Sequence, residues 1–210
     1  MSRVIVFQGD SITDVGRSRD EATPANQGMG SGYPFLVSSY LRCHEPKRDW
    51  QIFNRGISGN RVVDLYARWK IDALNLKPDI LSILIGVNDT WHEFARGNGV
   101  EVPRYEKIYR MLLEWTFEVL PDVRLVLLEP YVQRSEIVLD SWVKEMDQRR
   151  AIVKALAKEF GAIFIPTQSL LDAALKKAPS KYWLHDGVHP TSAGHQLIAE
   201  AWIKATKDIR

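Results

Sequence analysis

Val4-Ile5-Val6-Phe7-Gln8-Gly9-Asp10-Ser11-Ile12-Thr13-Asp14 opens with four consecutive apolar residues and breaks at a glycine. A short run without polar alternation is apolar on both faces, which suits a parallel strand buried between two layers of helices. A serine just beyond such a strand, flanked by glycine, presents its hydroxyl at the rim of the sheet, where catalytic groups collect. Taken alone, Gly9-Asp10-Ser11 reads equally well as a turn or helix cap in which the serine only accepts a backbone hydrogen bond.

Four further runs of the same kind follow: Gln51 to Asn54, Ile80 to Ile85, Leu125 to Leu128 and Ala162 to Ile165. Between them lie segments with helical spacing. These are Tyr33 to Leu41, Val62 to Trp69, Tyr105 to Leu120 with a stripe of Ile108, Leu112, Trp115 and Val119, and Asp140 to Phe160 with Val143, Met146, Val153, Leu156 and Phe160. Gly161 reads as a C-terminal stop, and a last helix begins near Ser192 with Leu197, Ile198, Ala201 and Trp202 inward. Strand alternating with helix predicts an α/β fold, a three-layer α/β/α sandwich of flavodoxin-like type on a five-stranded parallel sheet, with residues 1–210 as one domain. The segments Arg17 to Gly32 and Tyr131 to Leu139 are expected to be mobile or partner-contacting.

The bulk numbers narrow the function classes. A chain of 210 residues with 45% hydrophobic and 26% charged residues is an ordinary globular composition. Lys and Arg total 28 against 26 Asp and Glu, without a long block of one sign, so no nucleic-acid partner is implied. Cys43 is the single cysteine, which excludes an internal disulfide and a cysteine-rich metal site and is expected to be a small apolar filler. The longest apolar stretch, Ile80 to Val87, is too short to cross a bilayer, and Met1-Ser2-Arg3 leads directly into a strand. With the lone cysteine, these features point to a cytoplasmic protein without a membrane association.

Near the far end, Asp186-Gly187-Val188-His189-Pro190 supplies an acid and an imidazole three residues apart, the groups a serine needs to become a nucleophile. The Asp-x-x-His spacing lets one short turn join carboxylate and ring, so that the acid fixes the tautomer whose Nε2 faces Ser11. Attack on an ester carbonyl also creates an oxyanion, which needs donors aimed at it. Gly56-Ile57-Ser58-Gly59-Asn60 offers the Gly59 N–H where no side chain obstructs approach, Gly86-Val87-Asn88-Asp89 offers the Asn88 amide, and Ser11 offers its own N–H. Each also has a plain reading, Gly59 as a turn glycine and Asn88 as a helix cap.

These four ordered blocks resemble those of the SGNH hydrolase superfamily, the GDSL-type esterases and lipases, from Val6 to Ile198. The resemblance implies Ser11 as nucleophile, His189 as general base and then acid, Asp186 as its orienting carboxylate, and Ser11, Gly59 and Asn88 as the oxyanion hole, with no cofactor. Thr13 to Arg17, Gly30 to Tyr33, Arg55 to Asn60, Ala67 to Trp69, Asn88 to Trp91 and Val188 to His195 are similar to the bacterial intracellular acetylxylan-esterase-like branch. That narrower resemblance implies an acetylated xylo-oligosaccharide as the small-molecule substrate and a homo-oligomeric assembly. One departure is His185 immediately before Asp186, where that branch suggests a tryptophan, with Trp183 two places earlier.

Asp10 and Asp89 adjoin the candidate positions and are expected to brace the Ser11 and Asn88 loops. His195 follows His189 by six residues, but it falls in the opening of a helix without further ligand spacing, so no metal site is assigned. His44, His92 and His185 read as surface or packing residues. Trp91 and Trp183 are candidates for the substrate pocket, and Trp50, Trp69, Trp115, Trp142 and Trp202 for core or interface. Beside the esterase of acetylated sugars stand a lysophospholipase or thioesterase and a carbohydrate-binding protein with a decayed site. A flavodoxin-like nucleotide binder is disfavoured, since Gly9 to Asp14 lacks a phosphate-loop glycine pattern and puts Asp10 where phosphate would be repelled.

Overall fold

The computed structural model describes residues 2–210. Five strands, β1 (Ser2–Gly9), β2 (Asp49–Asn54), β3 (Ile80–Leu84), β4 (Arg124–Leu128) and β5 (Ile163–Ile165), form one parallel sheet in the order β2-β1-β3-β4-β5. Their two-residue period divides the interior into two cores. Ile5, Phe7, Ile80, Leu84, Val126 and Leu128 face one side, while Val6, Leu81, Ile83, Leu125 and Leu127 face the other. Ser82 is the polar exception in β3, and the Trp202 indole satisfies it with a 3.0 Å hydrogen bond.

The helices are α1 (Ser11–Asp14), α2 (Tyr33–His44), α3 (Val62–Asp72), α4 (Val87–Arg96), α5 (Val102–Val119), α6 (Asp140–Glu159), α7 (Thr167–Ala174), α8 (Ser180–Trp183) and α9 (Ser192–Ala205). α2 and α9 pack together on the face of Phe7, and α3 and α5 on the face of Val6. The three-layer architecture expected from the sequence is the one observed. Gly161 stops α6 in the left-handed conformation, with φ +62°.

Several expectations need correction. On α5 the buried face is Tyr105, Tyr109, Leu112, Leu113 and Thr116, and Val119 is exposed. The stripe through Ile108, Leu112, Trp115 and Val119 was mis-phased because it left out the tyrosines, of which Tyr105 spends its hydroxyl on the Ile85 carbonyl at 2.9 Å and is thereby free to be buried. Cys43 is exposed, since the inward stripe of α2 runs through Tyr33, Val37 and Leu41 and leaves position 43 outside it. The stretch from Arg17 to Gly32 is tied down along the edge of the sheet. Asn26 accepts from the Ile52 N–H at 3.0 Å and donates to the Trp50 and Ile52 carbonyls, covering the free side of β2. Tyr131, Val132 and Val138 anchor the other segment in the core.

Trp50, Trp69, Trp142 and Trp202 are buried, and Trp115 packs partly buried against the core under α5.

Candidate active site

The order of strands reverses between β1 and β3, and the crevice beyond their carboxyl ends is where open α/β sheets gather functional loops. Ser11 leaves β1 as the first residue of α1, and Asp10 caps that helix by accepting the Ile12 N–H at 2.9 Å. The Ser11 Oγ lies 2.9 Å from His189 Nε2, and His189 Nδ1 lies 2.7 Å from Asp186 Oδ2. The other Asp186 oxygen accepts the amides of His189 at 2.8 Å and Val188 at 2.9 Å, which closes the turn. Burial works to raise the Asp186 carboxyl. The His189 amide, the His189 ring and the Val188 amide outweigh it and hold the group below its ordinary value. A carboxylate kept ionised beside Nδ1 leaves Nε2 as the proton acceptor for the serine.

The loop after β2 uses almost all of its amides internally. The N–H groups of Arg55, Gly56, Ile57 and Ser58 reach Phe7, Asn54, Gly9 and Asp14, and those of Asn60, Arg61 and Val62 reach Ile57, Asp64 and Asp89. Only the Gly59 N–H has no acceptor among the described residues, and the Ser11 N–H is free in the same sense. Gly59 holds φ +84° with open space where a Cβ would stand, which leaves its amide approachable. Asn88 Nδ2 donates one hydrogen to the Asn60 carbonyl at 3.1 Å, retaining the other. Unspent donors beside a serine–imidazole pair are what a developing oxyanion requires.

Asp89, fully buried in the first turn of α4, accepts the Val62 N–H at 3.0 Å and so joins α4 to the start of α3. Burial pushes both Asp10 and Asp89 up to about 7, against the Ile12 amide for the first and the Arg149 charge for the second. Trp91 stands 5.7 Å from the His189 ring and 5.4 Å from Trp142, making an aromatic wall. Trp183 is engaged differently, with its Nε1 donating to the Ala178 carbonyl at 3.1 Å and its ring edge-on to Tyr182. His195 is buried in α9, where its Nδ1 accepts the Tyr33 N–H at 3.2 Å. His185 is exposed, and with Lys181 and Ile137 it lines a recess of about 450 Å³ that reaches Asp186. A larger cavity, about 630 Å³ between β5, α7 and α9, contains none of these groups.

The sequence reading missed the supports of the Asp–His turn. Ser135 Oγ donates to the Asp186 carbonyl at 2.6 Å, and the Gln133 N–H donates to the Gly187 carbonyl at 2.8 Å. It also missed Asp14, which takes the Ser58 N–H and hydroxyl. The signals for Asp14 were its place three residues beyond Ser11 in the same motif and inside the Thr13 to Arg17 block of the narrower resemblance.

A model of the GDSL-like lipase/acylhydrolase family matches residues 7–197. An acetylxylan esterase from Geobacillus stearothermophilus is 36% identical over 206 residues, 95% of this chain and 92% of its own. A crystal structure of an acetylxylan esterase from that organism superposes with a TM-score of 0.88 at 34% identity, over 97% of this chain and 93% of the other. A protein of Parabacteroides merdae described as a GDSL-like lipase superposes with a TM-score of 0.94 at 44% identity, over 100% of this chain and 97% of the other.

Proposed function

The chain belongs to the GDSL-like lipase/acylhydrolase family and is a carboxylic ester hydrolase, and on that premise we propose that it removes short acyl groups, above all acetyl, from O-acetylated sugars such as xylo-oligosaccharides. The observation that carries the mechanism is the unbroken run of short hydrogen bonds from Ser11 Oγ through His189 to Asp186. Ser11 Oγ attacks the ester carbonyl while its proton passes to His189 Nε2, and Asp186 favours the imidazolium so formed. The carbonyl electron pair becomes an oxyanion received by the Ser11 and Gly59 amides and the Asn88 side chain. Collapse of the intermediate expels the sugar alkoxide, which takes the proton back from His189 and leaves an acyl-serine. Water, deprotonated by the same imidazole, then releases the carboxylic acid and regenerates Ser11.

Trp91 supplies an indole beside His189 on which a sugar ring can lie, and acetyl as the acyl group is supported by the esterase relatives. The wild type is expected to hydrolyse p-nitrophenyl acetate and acetylated xylo-oligosaccharides. Ser11→Ala and His189→Ala should each lose about 10⁴-fold in kcat, with the double variant little worse. A wild type inactive on every ester overturns the reading. One observation favours a longer acyl chain: Phe94 and Leu139 expose apolar surface near Trp142. A rate that climbs with chain length would select the lysophospholipase or thioesterase alternative, and a collapse beyond short chains selects the acetylesterase.

Among the described residues, no helix is long and apolar enough to cross a membrane. The reading also makes the enzyme cytoplasmic, in keeping with an exposed thiol that has no cysteine partner, and homo-oligomeric, a property light scattering tests directly.

A further inference from the structure

We propose that Asp14 is a positioning residue that fixes the Gly59 amide against the Ser11 turn, making two of the oxyanion donors one rigid unit. The inference rests on the esterase reading and deepens it.

Asp14 ends the short helix that Ser11 begins, so its backbone moves with the nucleophile. Its side chain is 3% exposed and crosses to the neighbouring loop. There Oδ2 accepts both the Ser58 N–H at 2.8 Å and the Ser58 hydroxyl at 2.7 Å, while Oδ1 accepts the Arg17 N–H at 3.2 Å. The Arg19 guanidinium pairs with the same carboxylate, and Arg17 Nε and Arg19 Nη1 both donate to the Gly56 carbonyl at the root of the loop. On the far side of Gly59, Asn60 is held by the Asn88 amide at its carbonyl and by Arg68 Nε at its side chain, 2.8 Å away. Gly59 is therefore a free amide clamped between two pinned residues, and Asp14 is the clamp that leads back to Ser11.

The packing leaves little slack. A Cβ on Gly56 would meet the Asp14 nitrogen at 2.5 Å, so the two segments touch through backbone. Val15, directly after Asp14, is held at φ +39°, a costly conformation for a β-branched residue that persists only where its surroundings over-determine it. An oxyanion donor misplaced by a fraction of an ångström loses its selective grip on the transition state while ground-state binding hardly changes. Asp14 should therefore act on kcat rather than on KM.

Two variants and one inhibitor decide the matter. Asp14→Asn keeps the size but replaces one acceptor by a donor and removes the charge facing Arg19. Ser58→Ala keeps the carboxylate and its bond to the Ser58 amide and removes only the hydroxyl. With p-nitrophenyl acetate, Asp14→Asn is expected to lower kcat by about 10²-fold and Ser58→Ala by a smaller factor, at a KM little changed. The inhibition constant of a trifluoromethyl ketone, which adds to Ser11 Oγ as a tetrahedral hemiketal oxyanion, should rise in each variant by the same factor as kcat/KM falls. The apparent pKa of the acid limb of kcat/KM should not move, since the serine, histidine and aspartate bonds are untouched.

Either variant losing kcat without weaker ketone binding would overturn the proposal, as would an Asp14→Asn enzyme with wild-type kcat and lowered thermal stability. Should Asp14→Asn fail to fold, Ser58→Ala alone decides through the same pairing of kcat/KM with ketone affinity. A wild type without esterase activity removes the esterase reading itself, an outcome distinct from an active wild type whose variants behave normally.

Discussion

Gly187 separates the Asp186 carboxylate from the turn that returns to His189, and its backbone sits at φ +88°. A Cβ there would lie 2.3 Å from the Gln133 carbonyl oxygen and 2.8 Å from Ser135 Oγ, the segment that hydrogen-bonds both Asp186 and Gly187. Gly187→Ala adds a left-handed backbone penalty of about 1–2 kcal/mol to an overlap that costs about 1–3 kcal/mol more. The variant should lose about 2–5 kcal/mol in urea unfolding and, because Asp186 must shift with the loop, a large share of its kcat. Stability within half a kcal/mol of wild type, about the size of an unstrained surface change, would show that the loop yields freely. The candidate site was legible where its chemistry is local: a strand followed by Gly-Asp-Ser, or an Asp three residues before a His, carries its geometry in its spacing. Ser135 meets Asp186 across fifty-one positions, Gln133 meets Gly187 from farther still, and Asp14 meets Ser58 across forty-four. No periodicity encodes such meetings, which arise only once the sheet has ordered its loops.

Among the elements, α4 was not read as a helix from the sequence, and its first turn buries the polar Asn88, Asp89 and Thr90 beside Val87. The apolar spacing of Val87, Trp91 and Phe94 does not mark that buried face, since Phe94 is exposed, and the polar residues can be buried only because partners are waiting. The largest partner is Arg149 of α6, wholly buried, with Nε donating to Thr90 Oγ1 at 2.9 Å and Nη2 to the Val100 carbonyl at 2.6 Å. Glu145 pairs with it one turn earlier, and the guanidinium stacks 4.8 Å from the Tyr105 ring. This arginine joins α6 to the helix that presents Asn88, and its charge opposes the rise of the Asp89 carboxyl. Arg149→Met preserves most of the volume but strands the Val100 carbonyl and removes a buried cation, at a cost of about 3 kcal/mol. Thermal unfolding should register the loss, and hydrogen exchange should show the first turn of α4 opening more readily than β1 or β3. An equal rise in exchange everywhere would mean that the arginine supports the fold at large rather than this helix.

At the scale of the whole molecule, one sheet with two cores converges several loops on a single crevice, and that convergence traps ionisable groups in dry surroundings. Asp10 and Asp89 titrate ordinarily near 3.8 and are pushed up to about 7 by burial, while burial pushes His195 from 6.5 down to about 4. Between pH 4 and 7 the folded chain keeps protons on the two aspartates that the unfolded chain has released, so this pair makes stability fall as pH rises. His195 acts in the opposite sense. Its unfolded imidazole binds a proton below about 6.5 and the folded one only near 4, so its contribution is complete above 6.5 and is lost as pH drops through that interval. Asp186, held below its ordinary value, adds stability that disappears only at still lower pH. Each opposing slope can be removed singly. Asp10→Asn keeps a side-chain oxygen for the Ile12 amide and the cap of α1, so its melting temperature should gain on wild type steadily from pH 4 to 7. His195→Asn keeps an acceptor for the Tyr33 amide, and its melting temperature should instead gain on wild type as pH falls from 6.5 to 4. Melting curves of both variants at half-unit steps check the two signs together. Parallel curves for wild type and either variant would mean that the group concerned carries the same charge folded and unfolded, and that the crevice is wetter than its packing implies.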